Sequence, residues 1–285
     1  MESVTPQPKT VTDSDLTLTR ASIEDAARRL DGIVRRTPLE DCPRLSEQTG
    51  ATIRLKREDL QTVRSYKIRG AYNIMAQLTE QELAAGVVAA SAGNHAQGVA
   101  YACATMRVNG RIYVPTTTPK QKRDRILWHG KGFVELIAVG DTYDAAASAA
   151  QSDVMRTGAT WIHAFDDPRT AAGQGTIGKE IVEQLGTDPD VVILPVGGAG
   201  CMAGIVTYLR EVCPDVAIVG VEPRGAVSLA AALVHGEPYT LPTVDSFVDG
   251  AAVKRVGGLG CGVMSAAGAR VVAHPVLDSI AETPA

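Results

Sequence analysis

Short apolar runs alternate with longer amphipathic segments from Lys67 onward, and this alternation constrains the fold more than any other feature. The apolar runs predict strands at 87–91, 111–114, 134–139, 161–163, 191–196 and 217–221. The intervening segments predict helices near 68–78, 96–106, 120–128, 142–156, 176–185, 201–212 and 226–235. Such alternation is typical of α/β proteins with parallel sheets between helices. The unbroken run VVIL at 191–194 further predicts a strand buried on both faces.

The N-terminus, the net charge and the cysteines indicate a flexible tail and argue against nucleic-acid-binding, membrane, disulfide-linked and zinc-binding proteins. Residues 1–20 lack an apolar core, and Ser22, followed by Asp25, predicts the N-cap of a first helix. The formal net charge is −4 without a basic cluster, so we expect neither nucleic acid nor membrane as a partner. The five cysteines show no C-x-x-C pair, which argues against zinc or disulfides and favours a cytoplasmic protein with no metal.

The segment SYKIRGA at 65–71 places Lys67 between Tyr66 and Ile68 at the start of a helix. A lysine that is partly desolvated has a lowered pKa and can form a Schiff base with an aldehyde. Lys67 is therefore a candidate catalytic residue, and the alternative is an ordinary solvated lysine.

The segment SAGNHAQG at 91–98 directly follows a predicted strand. Ser91, Gly93 and Asn94 can surround an anion at a helix start, and the Asn94 amide can both donate and accept. His95 fits either a base or a structural hydrogen-bonding residue. The alternative for the whole segment is a helix-capping turn.

A loop between the strand at 191–196 and the next helix can bring backbone N–H groups close to a phosphate. It consists of Gly197, Gly198, Ala199, Gly200 and Cys201, the last contributing mainly its backbone. The same stretch fits the dinucleotide pattern G-x-G-x-x-A, with Glu222 about 20 residues further on. By itself the loop leaves both interpretations open.

The combination of the three segments favours pyridoxal phosphate. That cofactor needs an amine for its aldehyde, a cradle for its phosphate, a partner for its ring hydroxyl and a pocket for the substrate carboxylate. Each has a candidate here, and only the ring nitrogen lacks one. A dinucleotide site would use neither the lysine nor the Asn-bearing loop.

Longer stretches resemble the threonine ammonia-lyases (threonine dehydratases) of the fold-type-II pyridoxal-phosphate enzymes. The resemblance runs from about residue 22 to residue 257 and rests on RTPL at 36–39, LKREDLQTVRSYKIRGAYN at 55–73, SAGNHAQG at 91–98, TPKQKRDRI at 118–126, FDDPRTAAGQGTIGKEI at 165–181, PVGGAG at 195–200, VGVEP at 219–223 and VDGAAVKRVG at 248–257. It implies two doubly wound parallel-sheet domains, the smaller (66–165) inserted into the larger (21–65 and 166–285).

The resemblance also implies a role for each candidate. Lys67 would hold the cofactor and remove the substrate α-proton, Asn94 would bind the ring 3-hydroxyl, and the loop 197–201 would bind the phosphate. The substrate carboxylate would lie at Ser91, Gly93 and His95. The implied reaction converts L-threonine to 2-oxobutanoate and ammonia, as the first step of isoleucine biosynthesis, with L-serine as a further substrate. A homo-oligomer is implied as well.

The sequence departs from the family pattern at two places. Ala199 replaces a glycine of the phosphate loop, which costs roughly 1 kcal/mol if its φ is positive. After Gly257 the resemblance decays, and neither an EPAGA-like helix, nor the Ser-Gly-Gly-Asn turn that binds the ring nitrogen, nor a regulatory domain follows. We therefore expect an incomplete large domain with an uncovered sheet, lower stability and no feedback inhibition by isoleucine.

Three alternatives stay open on the sequence alone. Serine dehydratases and serine racemases share the cofactor-binding motifs. A non-catalytic fragment that binds pyridoxal phosphate would lack turnover. A dinucleotide-binding protein would bind NAD and stay colourless.

Overall fold

The computed structural model describes residues 17–245, 248, 250–268 and 270–274. Most of the predicted tail, residues 1–16, and the last residues, 275–285, lie outside them. The helices are α1 Arg20–Leu30, α2 Pro43–Thr49, α3 Lys67–Met75, α4 Glu80–Ala85, α5 Asn94–Met106, α6 Lys120–Gly130, α7 Tyr143–Thr157, α8 Pro168–Leu185, α9 Gly200–Val212, α10 Ser228–His235 and α11 Gly258–Ala267. The strands are β1 Leu39–Asp41, β2 Arg54–Lys56, β3 Val87–Ala90, β4 Gly110–Val114, β5 Val134–Ala138, β6 Thr160–Trp161, β7 Val191–Pro195, β8 Ala217–Pro223 and β9 Arg270–His274.

Two parallel sheets organise the described residues, which confirms the predicted α/β fold class. The first has the order β5-β4-β3-β6, and the second has the order β7-β8-β9. A short antiparallel pair, β1-β2, precedes them. All strands of the first sheet lie before residue 166 and all strands of the second lie after it. The division into a large domain and an inserted domain stays a prediction.

Each parallel sheet has its own hydrophobic core. Around the first sheet, β3 is buried along its whole length: Val87 and Ala89 pack with α3 and α5, and Val88 and Ala90 pack with α7 on the other face. Around the second sheet, Val192 and Leu194 pack against Ile205 and Leu209 of α9. Both cores fix the carboxyl ends of β3 and β7, because the helices α5 and α9 begin directly beyond these strands.

The strand β7 differs from its prediction as a strand buried on both faces. Its side chains alternate between buried and exposed, and Ile193 is 63% exposed while its neighbour Leu194 is 8% exposed. Val191 and Val272 are exposed on 50% and 48% of their surfaces. One face of the second sheet therefore carries apolar side chains without a covering layer among the described residues.

Two helix starts also differ from the prediction. The N-cap of α1 is Thr19 rather than Ser22, which forms the other half of a capping box. Helix α8 begins at Pro168 with Asp167 as its N-cap, eight residues before the predicted start at 176.

Glycines allow α8 to pack closely against its two neighbouring helices. A Cβ on Gly173 would lie 2.6 Å from the carbonyl oxygen of Arg69 on α3, and a Cβ on Gly204 of α9 would lie 2.1 Å from the carbonyl oxygen of Ala171. The backbone of α8 therefore lies unusually close to both α3 and α9, and this closeness brings the start of α3 next to the start of α9.

Candidate active site

Lys67 is the first residue of α3, and its amine lies inside the protein. The Nζ atom donates to the carbonyl oxygen of Ala164 at 2.9 Å and lies 5.4 Å from the centre of the Tyr66 ring. Burial lowers the pKa of Lys67 to about 8. The structure thus contradicts the alternative of a solvated surface lysine, and it leaves a nucleophilic amine at this position.

The peptide 163–166, which follows β6, carries contacts that the sequence motifs did not reveal. The imidazole Nδ1 of His163 accepts hydrogen bonds from the backbone N–H groups of Phe165 and Asp166, at 3.2 and 2.8 Å. These bonds fix the turn that presents the carbonyl oxygen of Ala164 to Lys67. The sequence did not reveal the role of Ala164, which directly precedes the motif at 165–181, because its contact with Lys67 spans 97 residues.

The loop that follows β3 leads to the start of α5, beside Lys67. A Cβ on Gly98 of α5 would lie 3.0 Å from the carbonyl oxygen of Lys67, so the two helices are in close contact here. Gly93 is the N-cap of α5, and no side chain caps it. The first N–H groups of α5, those of Asn94 and His95 among them, have no acceptor within the helix and form an anion-binding end. Ser91 is half-buried, and its hydroxyl accepts a hydrogen bond from Gly93 at 3.2 Å.

The imidazole of His95 is buried and turned away from solvent. Its Nε2 lies 2.8 Å from the carbonyl oxygen of Ile162. Burial lowers the pKa of His95 to about 3, so the ring is neutral and Nε2 carries the proton. Nδ1 is then a lone-pair acceptor with no hydrogen-bond partner among the described residues. An acceptor repels a carboxylate, so His95 can serve a carboxylate through its backbone N–H and not through its ring.

The loop 197–201 lies beyond β7 and opens α9, as predicted. Ala199 is the N-cap of α9 with φ 65° and ψ −4°, and no side chain caps this helix. A positive φ at an alanine is the condition under which its side chain is strained, so the structure confirms that part of the prediction. The backbone of Gly200 and Cys201 forms the first turn of α9, where unpaired N–H groups and the helix dipole favour an anion.

Glycine is required at two positions of this loop by the neighbouring Phe165. A Cβ on Gly198 would lie 2.3 Å from the Phe165 ring, and a Cβ on Gly200 would lie 2.2 Å from its carbonyl oxygen. No real Cβ fits at such distances, so the close approach of Phe165 explains both glycines without reference to a ligand. The Cys201 thiol interacts electrostatically with Lys67, and burial raises its pKa to about 12, which keeps the thiol neutral.

Among the described helices, α5 and α9 share the absence of a side-chain cap with α2, α3 and α6, and they differ from those three in lying beside Lys67. The N-caps of α1, α4, α7 and α8 each accept a hydrogen bond from the first turn through a side chain. Glu222 does the same for α10, and Asp166 for α11, from other parts of the chain. The starts of α5 and α9, in contrast, leave their N–H groups available on either side of the Lys67 amine.

Glu222 decides against the dinucleotide interpretation of the loop. Its carboxylate is fully buried and accepts hydrogen bonds from the backbone N–H groups of Leu229 and Ala230, at 2.7 and 2.9 Å. A dinucleotide site needs this carboxylate free to bind a ribose hydroxyl. Glu222 is committed to the start of α10 instead.

A buried ionic cluster holds the helix that carries Lys67. The guanidinium of Arg69, on α3, is bound to Glu58 and Glu180 at 2.7 and 2.6 Å, and its side chain is only 1% exposed. Lys56 joins the cluster through Glu180 at 2.6 Å. Burial alone would raise the pKa of Glu58, but the positive charge of the Arg69 guanidinium keeps that pKa below its usual range and so keeps Glu58 ionised. Helix α3 is thereby fixed to α8.

The residues at this site fit pyridoxal phosphate. They provide a desolvated amine, an uncapped helix start with a glycine-rich loop, and a second uncapped helix start beside them. Residues 30–276 match the family model described as pyridoxal-phosphate dependent enzyme. The chain belongs to this family. Its match reaches through α11 and β9, further than the motif resemblance, which was predicted to decay after residue 257.

Individual relatives agree with the family assignment. The chain is 60% identical over 251 residues to the L-threonine dehydratase biosynthetic IlvA of Mycobacterium tuberculosis, covering 88% of this chain and 58% of that protein. It is similar to threonine deaminase isoform 2 of Solanum lycopersicum, with TM-score 0.84, 39% identity, and coverage of 95% of this chain and 78% of the other. Maize serine racemase gives TM-score 0.85 at 28% identity, with coverage of 90% and 77%.

The described residues lack two features that belong to other classes of protein. No helix in that part of the chain is both long and apolar enough to cross a membrane. No group of three or more His, Cys, Asp and Glu side chains there is arranged to hold a metal ion.

Proposed function

We propose that this chain is a pyridoxal-phosphate dependent lyase that converts L-threonine to 2-oxobutanoate and ammonia, by β-elimination of the hydroxyl group as water followed by hydrolysis, which takes one water up again. The observation that carries the proposal is the position of the Lys67 amine, desolvated and flanked by the uncapped starts of α5 and α9. Such a site offers one covalent anchor and two places for anions. A phosphorylated aldehyde and an amino-acid carboxylate together match that arrangement.

Each cofactor group has a counterpart in the proposed site. The Lys67 amine would hold the aldehyde carbon, and the N–H groups at 197–201 would bind the phosphate. The Asn94 side chain, exposed at the start of α5, would hydrogen-bond the ring hydroxyl. When bound, pyridoxal phosphate supplies a ring that accepts negative charge from the substrate α-carbon.

The substrate would be bound and deprotonated by the protein's own groups. Backbone N–H groups around Ser91, Gly93 and His95 would bind the carboxylate at the start of α5. The lowered pKa of Lys67 leaves a substantial fraction of its amine neutral near pH 8, so it can remove the α-proton when displaced by the substrate amine. His95, whose pKa is lowered to about 3 by burial, is too weak a base at Nδ1 to compete for that proton.

The preference for threonine rests on the relatives. A protein 60% identical to this chain is named L-threonine dehydratase, whereas the serine racemase similar in structure is 28% identical. The chain spans 58% of the length of that threonine dehydratase. L-serine, a second β-hydroxy amino acid, would react by the same route. A cytoplasmic location, which the cysteine pattern favours, and a homo-oligomer, which the family resemblance implies, complete the proposal.

Reduction with borohydride in the presence of pyridoxal phosphate tests the anchor. We expect a cofactor adduct on the peptide that contains residues 65–71, and loss of visible absorbance in Lys67→Ala. Lys120→Ala is the matched control, because its side chain is 81% exposed on the surface of α6. An adduct that persists in Lys67→Ala would refute the assignment of the anchor.

Product analysis tests the reaction separately from the anchor. Purified, cofactor-loaded protein is expected to release 2-oxobutanoate from L-threonine and pyruvate from L-serine. Release of D-serine from L-serine without keto acid would favour the racemase alternative. A labelled Lys67 without any product would favour a cofactor-binding fragment.

A further inference from the structure

Helix α11 packs directly on the phosphate loop through a contact between two small residues. Ala199 is 4% exposed, and a Cβ on Gly260 of α11 would lie 2.5 Å from the Ala199 Cβ. The same added atom would lie 3.3 and 3.4 Å from the carbonyl carbon and the Cα of Ala199. The space for the alanine side chain at 199 therefore exists because position 260 has none.

The start of α11 is attached to the site by two further contacts. The Asp166 carboxylate accepts a hydrogen bond from the backbone N–H of Leu259 at 3.0 Å and so caps α11 from the peptide 163–166. The N–H of Gly257 donates to the carbonyl oxygen of Gly198 at 3.3 Å. One end of α11 is thus bound both to the phosphate loop and to the peptide that accepts from Lys67.

These contacts act on a backbone conformation that alanine does not adopt freely. Ala199 has φ 65°, in the region where an L side chain is strained, so its conformation must be held by its surroundings. Phe165 bounds the loop at Gly198 and Gly200, and α11 bounds it at Ala199. The direction of the N–H groups at the start of α9 depends on that conformation.

We propose that Gly260 and Asp166 are positioning residues for the cofactor phosphate: α11 holds Ala199 in its left-handed conformation, and thereby aims the N–H groups of the loop. This inference rests on the proposed function, because it concerns how the loop binds the phosphate of pyridoxal phosphate. It assigns to α11 a part in cofactor binding although no residue of α11 belongs to the phosphate loop.

The central test compares Gly260→Ala with Gly262→Ala. Both add one methyl group to α11, but no atom lies within 4 Å of a Cβ at 262, so that variant is the matched control. We expect Gly260→Ala to weaken pyridoxal phosphate binding by roughly tenfold or more, because the added methyl displaces Ala199. Gly262→Ala should bind like the unmodified chain. Affinity is measured by absorbance titration, without turnover.

Pyridoxal, which lacks the phosphate, identifies where the defect lies. If α11 acts through the phosphate loop, Gly260→Ala should bind pyridoxal as well as the unmodified chain does. A general loss of folded protein would weaken both ligands together and would refute the proposal. Circular dichroism of the cofactor-free variants measures the folded fraction independently.

Rescue provides the second test. In an Ala199→Gly background the colliding Cβ is absent, so adding Gly260→Ala should change pyridoxal phosphate affinity by less than about twofold. Asp166→Ala should weaken binding several-fold, whereas Asp166→Asn should retain most of it, since an amide oxygen still accepts from Leu259.

The outcomes separate the two proposals. If the unmodified chain binds pyridoxal phosphate and Gly260→Ala binds it equally well, the role of α11 is wrong and the cofactor site stands. An equal loss in Gly260→Ala with and without Ala199→Gly would likewise refute the role of α11. If the unmodified chain fails to bind the cofactor at Lys67, both proposals fall.

Discussion

At the scale of single residues, Lys67 combines two properties that rarely occur together in a lysine. Its amine is desolvated, yet it has a neutral carbonyl, that of Ala164, rather than a carboxylate as its hydrogen-bond partner. A carboxylate would stabilise the charged form and raise the pKa, whereas burial beside a neutral acceptor lowers it to about 8. The surroundings of Lys67 thus favour the form that reacts with aldehydes.

We expect the covalent capture of pyridoxal phosphate by the cofactor-free protein to rise with pH around a midpoint near 8, because the neutral amine is the nucleophile. The folded-state pKa lies below the unfolded one, so the unfolded chain binds more protons between about pH 8 and 10.4. The free energy of unfolding should therefore rise with pH across this window. Stopped-flow absorbance measures the rate of cofactor capture at each pH. A midpoint of that rate above pH 10 would contradict the lowered pKa of Lys67.

The sequence identified the residues with distinctive chemistry and missed those that act through backbone atoms. Lys67, Asn94 and the loop 197–201 stand out by residue type and spacing. The carbonyl of Ala164 and the close approach of Phe165 have no signature of their own, because any residue has a carbonyl oxygen. The tautomer of His95 was also beyond the sequence, since it depends on the carbonyl of Ile162.

At the scale of elements, the position of α3 depends on the charges buried beneath it. Arg69 lies two residues after Lys67 on α3, and Glu58 and Glu180 enclose its guanidinium. Removing one member of such a cluster leaves the others buried without a partner. The stability of this cluster and the place of the amine are consequently linked.

Arg69→Ala is expected to lower the free energy of unfolding by about 3–5 kcal/mol, because it removes the ion-pair partner of buried Glu58 and leaves Glu180 paired with Lys56 alone. Arg36→Ala is the matched control, since its pair with Glu183 on the same helix is 55% and 40% exposed. That variant should cost about 1 kcal/mol or less. Urea denaturation measures both, and equal losses would contradict the difference in burial.

The sequence predicted helix boundaries well where a helix has a regular pattern, and poorly where close packing against other helices requires glycine. The predicted helix at 142–156 closely matches α7 Tyr143–Thr157, with Thr142 as its N-cap. The predicted start of α8, at 176, lies eight residues after the observed start at Pro168, because Gly173 and Gly175 are poor helix formers in isolation. Their lack of side chains allows contact with α3 and α9, and this tertiary gain overrides the local preference.

At the scale of the whole molecule, the second sheet has one packed face and one face that no described residue covers. The alternation of buried and exposed side chains along β7 assigns Leu194 to the packed face and Ile193 to the open face. Apolar side chains on an open face contribute little to stability until something covers them. The contributions of buried and exposed apolar side chains to stability can therefore be compared at two adjacent residues of β7, Ile193 and Leu194.

Leu194→Ala is expected to cost about 2–5 kcal/mol of unfolding free energy, as a truncation in a core. Ile193→Ala should change it by no more than about 0.5 kcal/mol, as a truncation on an open surface. Both are read from urea denaturation at several protein concentrations. A large cost for Ile193→Ala would show instead that another surface covers this face in solution.

The α/β class was predictable from the alternation of apolar runs, but the strand orders were not. Sequence spacing does not reveal that β6 returns to the side of β3 opposite to β4. The last described elements, α11 and β9, were also missed, because the segment GLGCGVMSAAGA is rich in glycine and has little amphipathic pattern. Contacts with the loop at 197–201 and with β8 hold these elements in place.

The uncapped starts of α5 and α9 have a practical consequence for handling this protein. Ordinary oxyanions such as orthophosphate and sulfate have the charge and the acceptor oxygens that free N–H groups at a helix start attract. They would occupy the same positions as the cofactor phosphate and the substrate carboxylate, so reconstitution in phosphate buffer should proceed against a competitor. Tertiary amine buffers at low ionic strength, with chloride as the counter-ion, contain no oxyanion and should leave both helix ends open for loading.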